Sequence, residues 1–175
     1  MLPHLDAAYS LARYLVRDPA ACDEIVQDSF ERALRGFANY RGGSPKAWLL
    51  AIVRNRCHDE AISAKRIGMR IVACEDLPDD AGDWLESAAV DSDNPEEQLI
   101  RQQDAERIRA HISDLPEPFR EALVLREIED MSYKEIAQVT GVALGTVMSR
   151  LSRARAILTE ALFSSEQADA GKEMI

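Results

Sequence analysis

Apolar positions recur at steps of three and four along most of the chain, the period of helices with one buried face. Leu5, Ala8, Tyr9, Ala12, Leu15 and Val16 form the first such stripe. Asp18-Pro19 then supplies an N-cap followed by proline, which fits the first helical position because the N–H it lacks would be unpaired there anyway. The second helix places Cys22, Ile25, Val26, Ser29, Phe30, Ala33 and Phe37 on one broad face. Gly42-Gly43 breaks the chain, and Ser44-Pro45 repeats the cap-and-proline start. The third helix turns Trp48, Leu49, Ile52, Val53 and Cys57 inward and is expected to reach about Lys65-Arg66. Phe37 and Trp48 are both expected in the core.

Beyond residue 93 the pattern resumes. Asn94-Pro95-Glu96-Glu97 opens a helix with a cap, a proline and two acids suited to the positive end of the helix dipole. Ile100, Ile108, Ile112 and Leu115 are its apolar positions. Pro116 and Pro118 end it and start another, carrying Phe119, Ala122, Leu123, Leu125 and Ile128. Ser132, with Glu135 three residues on, predicts a capping box for a short helix through Thr140 that Gly141 ends. A last helix is expected from Leu144 or Gly145 to Leu162, with 164–175 a frayed tail. No stretch alternates as a strand would. The chain reads as all-α: a helical bundle over 1–70, a linker over 71–98, and a second bundle over 99–163.

Charge sharpens this division. The 175 residues carry a net charge of −10, which argues against a nucleic-acid partner until it is located. Residues 1–70 hold 11 basic and 8 acidic side chains, residues 71–98 hold 10 acids and no Lys or Arg, and residues 99–175 hold 10 basic and 13 acidic. The excess sits in the linker, and the flanks nearly cancel. Glu75 to Pro95 has the Pro, Gly and like charges of a self-repelling spacer, apart from Trp84-Leu85.

Several classes are excluded. The longest apolar run, Ala47 to Val53, falls short of the ~20 residues a membrane span needs, so no membrane insertion is expected. The first residues carry no secretion signal. Cys22, Cys57 and Cys74 are too few for a disulfide scaffold, which suits a cytoplasmic location. Cys22 and Cys57 lie on apolar faces as inert thiols. His4, His58 and His111 are far apart, and no metal-ligand spacing, phosphate loop or nucleophile motif is present. No cofactor, metal or catalytic residue is expected, and the chain is not read as an enzyme.

Ser132 to Arg155 is the most informative segment. A short helix, a tight turn at Gly141 and a second helix make a helix-turn-helix. Ala137 is small where the helices cross, and Val142 packs at the turn. Val147, Leu151, Ala154 and Leu158 form the inner stripe of the second helix, while Thr146, Ser149, Arg150, Ser152, Arg153 and Arg155 occupy its other faces. Hydroxyls and arginines at the front of such a helix suit the DNA major groove.

These residues resemble the extracytoplasmic function (ECF) sigma factors. Glu135-Ile136-Ala137 followed by Gly145-Thr146-Val147-Met148-Ser149-Arg150-Leu151-Ser152-Arg153-Ala154-Arg155 is similar to that family's helix-turn-helix, and Leu115-Pro116 through Leu123 to its lead-in. Asp23-Glu24-Ile25-Val26-Gln27-Asp28-Ser29-Phe30 resembles the family's polymerase-binding helix. Tyr40-Arg41-Gly42-Gly43-Ser44, with Trp48, Leu49, Ile52, Arg54 and Asn55, resembles the loop and helix that engage the −10 element. The resemblance covers about 5–66 and 99–162. It implies a cytoplasmic subunit that directs core RNA polymerase to promoters and helps open them.

It also implies roles. Asp23, Glu24, Gln27, Asp28 and Phe30 would meet the polymerase β′ clamp helices, and the second bundle the β flap. Tyr40, Arg41, Ser44 and Asn55 would capture flipped −10 bases, with Arg54, Arg56, Lys65 and Arg66 on nearby backbone. Thr146, Met148, Ser149, Arg150, Ser152, Arg153 and Arg155 would stand at the −35 element. Such a protein is a monomer when free and is commonly held by an anti-sigma factor. Met148 stands where the family usually has a basic residue, and His58 to Ala64 is less basic than the family's version, so DNA affinity should depend on polymerase.

Two other readings remain open on residues alone: a helix-turn-helix regulator binding an operator as a dimer, and a bundle enzyme or metal sensor. The linker's 28 residues reach about 90 Å at roughly 3.3 Å each, enough for elements two DNA turns apart. Its ten acids are also placed to compete with DNA for the basic faces.

Overall fold

The computed structural model describes residues 2–16, 18–68 and 95–172, with side chains described for 3–16, 18–63 and 104–164. All regular structure among them is helical: α1 (Leu5–Leu15), α2 (Pro19–Gly36), α3 (Pro45–Gly68), α4 (Pro95–Asp114), α5 (Glu117–Leu123), α6 (Tyr133–Thr140) and α7 (Leu144–Lys172). The cap signals act as their chemistry requires. The Ala20 N–H donates to Asp18 Oδ1 at 2.9 Å, and the Ala47 N–H donates to Ser44 Oγ at 3.3 Å. At α6 the capping box closes both ways: the Ser132 N–H donates to Glu135 Oε2 at 2.9 Å, and the Glu135 N–H donates to Ser132 Oγ at 3.3 Å.

Helices α1, α2 and α3 pack on one another, burying Leu11, Ile25, Val26, Leu49, Leu50 and Val53. The one buried hydroxyl of α2, Ser29, donates back to the Ile25 carbonyl at 2.6 Å, so it enters the core already paired. In the second unit α7 packs across α4, α5 and α6. Val147, Leu151 and Ala154 are buried, and Leu158 is half-buried against them. The two units are not separate bodies. Helix α1 meets α5, α3 runs along α6, and the buried apolar residues of both units form one cluster.

The structure departs from the sequence expectations at four places. Phe37 is not in the core: it is 59% exposed, because α2 ends at Gly36 and a 3-10 turn over Phe37–Asn39 swings it off the buried face. Ile108 is also largely exposed, although Ile112 and Leu115 of the same stripe are buried. The helix after Pro118 does not stay α-helical. It widens into a π turn over Val124–Ile128, in which the Glu129 N–H donates to the Val124 carbonyl at 3.0 Å. The last helix continues through Lys172; no proline interrupts 161–172, and the Ser164 hydroxyl bonds back to the Glu160 carbonyl at 2.9 Å. The linker read over 71–98 lies outside the described residues as far as 94, and so does the Asn94 cap.

Two substitutions test this packing. Leu151→Ala, at a position 1% exposed, should destabilise the fold by about 2–5 kcal/mol. Gly141 caps α6 at φ +69°, and no other atom lies within 4 Å of the point a methyl group would occupy. Gly141→Ala should therefore cost only the left-handed backbone penalty, about 1–2 kcal/mol. Denaturant midpoints measure both, and the order of the two effects is the check.

Candidate nucleic-acid interface

Gly141, in the left-handed conformation, turns the chain from α6 into α7 within three residues. The buried stripe Val147–Leu151–Ala154 fixes the rotation of α7 about its axis. That rotation leaves Met148, Ser149, Ser152 and Arg153 exposed together. Met148 is 53% exposed, a large apolar side chain facing water at the front of a helix. The Ser149 hydroxyl donates to the Thr146 carbonyl at 3.0 Å, and Thr146 is half-buried. The other two arginines are engaged. Arg155 forks onto Glu127 Oε1 at 2.7 and 3.2 Å, and Arg150 Nη1 lies 3.8 Å from Glu121 Oε2.

A second surface surrounds the Gly42-Gly43 turn. Tyr40 stacks on Phe37 with ring centroids 6.0 Å apart and leans on Trp48 at 5.2 Å. Its hydroxyl donates to the Gly43 carbonyl at 2.8 Å, so the aromatic stack and the turn brace each other. Both glycines adopt positive φ, +89° and +101°, a region closed to most side chains. Arg41 and Asn55 are exposed. Lys65 and Arg66 lie on α3, but their side chains fall outside those described.

The remaining site residues divide by their partners. On α2, Asp23, Glu24 and Gln27 are exposed, whereas Phe30 is half-buried against the core. Asp28 binds Arg32 at 3.0 Å and also Arg56, which has Asp59 at 3.5 Å as a further partner. Burial alone would raise the Asp28 pKa. The two guanidiniums outweigh it and hold the carboxyl below its ordinary value. Arg54 turns away from the turn: its Nε donates to Glu121 Oε1 at 2.5 Å, with Asn55 Oδ1 3.4 Å from its Nη1.

Glu121 is the residue the sequence did not single out. Its side chain is 2% exposed and faces Arg54, Arg150 and, at 3.6 Å, His58. Lys46 and Glu129 were missed likewise. Lys46 Nζ reaches the Glu129 carboxylate and its carbonyl, each at 2.8 Å. Glu135 binds the Ser132 backbone and hydroxyl first and the Ser44 hydroxyl next, and these hold its carboxyl below the ordinary range. One signal was available: Arg54 and His58 lie four apart on one helix, as do Glu117 and Glu121 on another. No rule of spacing says that such pairs meet.

Cys22 and Cys57 are buried. Burial pushes both thiols up, Cys57 to about 12, which removes the reactive thiolate at neutral pH.

The architecture thus defined is two helical units, the second built on a helix-turn-helix. Residues 2–67 match the family model for sigma-70 region 2, and residues 105–158 that for sigma-70 region 4. The ECF RNA polymerase sigma factor SigE of Mycolicibacterium smegmatis is 35% identical over 167 residues, 94% of this chain; the chain spans 62% of that protein's length. The RNA polymerase sigma-H factor of Pseudomonas aeruginosa is 34% identical over 149 residues, covering 84% of this chain and 76% of that one. Among solved structures, the sigma factor RpoE from Bartonella quintana, in its co-crystal with the anti-sigma factor NepR, superposes with a TM-score of 0.69 and 26% identity, over 92% of each chain. CnrH, solved with the cytosolic domain of CnrY, shares the fold with a TM-score of 0.63 over 93% of this chain and 84% of its own, at 23% identity. The chain belongs to the ECF family of RNA polymerase sigma factors. No helix among the described residues is long and apolar enough to cross a membrane.

The carboxylates predict an acid limb. Asp28 and Glu135 have folded pKa values below their unfolded ones. The stability they contribute is therefore present above the ordinary carboxylate value of about 4, and is lost as pH falls through the lowered folded value. Glu135→Gln should flatten the fall in denaturant midpoint between neutral pH and about pH 3. Parallel curves for variant and wild type would show that the bonds at Ser132 and Ser44 carry no such linkage.

Proposed function

We propose that this chain acts as a dissociable promoter-recognition subunit of cytoplasmic RNA polymerase, with no catalytic centre of its own. The observation that carries this reading is the exposed row Met148, Ser149, Ser152 and Arg153, set on a helix whose opposite stripe is locked into the core. Side chains of that kind reach base edges in the major groove. This unit takes the −35 element, with Thr146, Arg150 and Arg155 beside the row. The first unit takes the −10 element. Tyr40 on its aromatic stack, with Arg41, Ser44 and Asn55 around the glycine turn, suits unpaired bases, for which an aromatic platform serves every base. Arg54, Arg56, Lys65 and Arg66 serve nearby phosphates. The exposed α2 face at Asp23, Glu24 and Gln27, with Asp28 and Phe30, docks on the β′ clamp helices, and the second unit on the β flap. The likeness to RpoE solved with NepR supports an anti-sigma factor as a further partner.

The deciding experiment is transcription in vitro from a promoter library by core polymerase with and without this protein. Protein-dependent transcripts sharing two elements are expected. A symmetric dimer that binds a palindrome without polymerase would instead establish the operator-binding regulator.

Residue assignments follow the same assay. Ser149→Ala and Arg153→Ala should each weaken −35 recognition by about 1–3 kcal/mol while leaving thermal unfolding unchanged. Unaltered promoter preference in both would remove α7 from base reading. Tyr40→Ala and Asn55→Ala should impair opening of duplex promoters more than binding to them, with stacking worth about 1–3 kcal/mol per base. Permanganate reactivity of the melted strand is the readout, and normal opening by both variants would place base capture elsewhere.

A further inference from the structure

The first turns of α7 carry an apolar pair that nothing among the described residues covers. Leu144 is 43% exposed and Met148 53%. They stand four residues apart, so their side chains lie one turn from each other on a single face of the helix. Gly145 beside them has no side chain, and open space surrounds the point where its Cβ would stand, so no neighbour overhangs the pair. Val147 and Leu151 are buried on the other side of α7 and prevent the helix from rolling Met148 inward. Charge along this stretch has one sign. No Asp or Glu occurs between Glu135 and Glu160, whereas Arg150, Arg153 and Arg155 all do. Beside Met148 the Ser149 hydroxyl donates its proton to the Thr146 carbonyl at 3.0 Å, so outward it offers lone pairs only.

We propose that Met148, backed by Leu144, selects thymine in the −35 element by packing on its C5-methyl group in the major groove. The assignment of this face rests on the placement of α7 at the −35 element proposed above, and it adds the base that is chosen. The floor of the major groove presents hydrogen-bonding groups at every base pair and one kind of apolar group, the thymine methyl. Uncovered apolar surface on a face with only positive charges along it meets its complement there: the arginines suit the phosphates, and the pair suits the methyl. A protein partner would ask for a wider apolar patch, and the exposed neighbours of this pair, Gly145, Ser149 and Ser152, are small or polar. Methionine fits the task because its unbranched thioether chain adapts its shape to the surface it meets. Discrimination arises from both sides of the choice. Thymine gains the apolar contact. Cytosine in its place lacks the methyl and brings its N4 amino group beneath side chains with no strong acceptor, which leaves a desolvated donor unpaired.

The test uses holoenzyme assembled from core polymerase and the full chain, on a promoter recovered from the library. Each thymine of the upstream element, on either strand, is replaced singly by deoxyuridine, which removes the C5-methyl and keeps every hydrogen-bonding group. At one position or more, deoxyuridine should weaken binding by the wild type about fourfold. That is the worth of one buried carbon, about 0.8 kcal/mol, at about 1.4 kcal/mol per tenfold. Met148→Ala should bind thymine and deoxyuridine DNA equally at that position, and Leu144→Ala should lessen the difference. Met148→Gln, which keeps the length of the side chain and makes its end polar, should lose the preference as Met148→Ala does. An upstream element without thymine on either strand, no position sensitive to deoxyuridine, or a preference undiminished in either alanine variant overturns the assignment. Weaker capture of core polymerase by Met148→Ala in the absence of DNA makes the pair a protein contact and overturns it too. Arg153→Ala separates these results from failure of the promoter reading. Altered promoter preference in that variant keeps α7 on the −35 element even when the thymine contact has failed. Unaltered preference in both Arg153→Ala and Ser149→Ala, with no deoxyuridine effect, removes α7 from base reading altogether.

Discussion

A carboxylate with 2% of its side chain exposed has to find its polar partners inside the protein, and Glu121 draws them from two neighbouring helices. Arg54 and His58 come from α3, and Arg150 from α7. Satisfying that one group orders much of the rest. It fixes the register of α3 against α5, sets which side of α7 approaches the joint, and aligns Lys46 with Glu129 a few turns away. Removing a single partner of such a group typically costs about 3–5 kcal/mol, while replacing the entire set by apolar residues is often neutral. The contact therefore contributes orientation more than net adhesion. Adhesion comes from the apolar cluster that continues beneath it.

The same division governs the two surfaces proposed to face DNA. In each, a rigid apolar element sets a short row of polar or aromatic groups. On α7 the stripe Val147–Leu151–Ala154 leaves the serines and Arg153 no choice of face. At the glycine turn, Tyr40 is held by Phe37, Trp48 and its own bond to Gly43, so its ring is fixed in one orientation. Pre-placed groups of this kind lose little freedom on binding. Arg54 and Arg150 differ from them. Their side chains are committed inside the protein, on Glu121.

Local chemistry made most of the helices legible. Asp18-Pro19, Ser44-Pro45 and the Ser132–Glu135 box mark starts within a few residues, and Gly141 marks a stop that only a left-handed residue fills comfortably. The inner stripe of α7 was legible because its period matches the helix. Three features were not. Phe37 keeps the apolar period of α2, but the helix ends one residue before it. The π turn at Val124–Ile128 inserts one residue per turn without any residue type that demands it, and so brings Glu129 round to Lys46. The pairing of Arg54 with Glu121 spans 67 residues of sequence. Nothing local distinguishes a buried partner from a solvated charge.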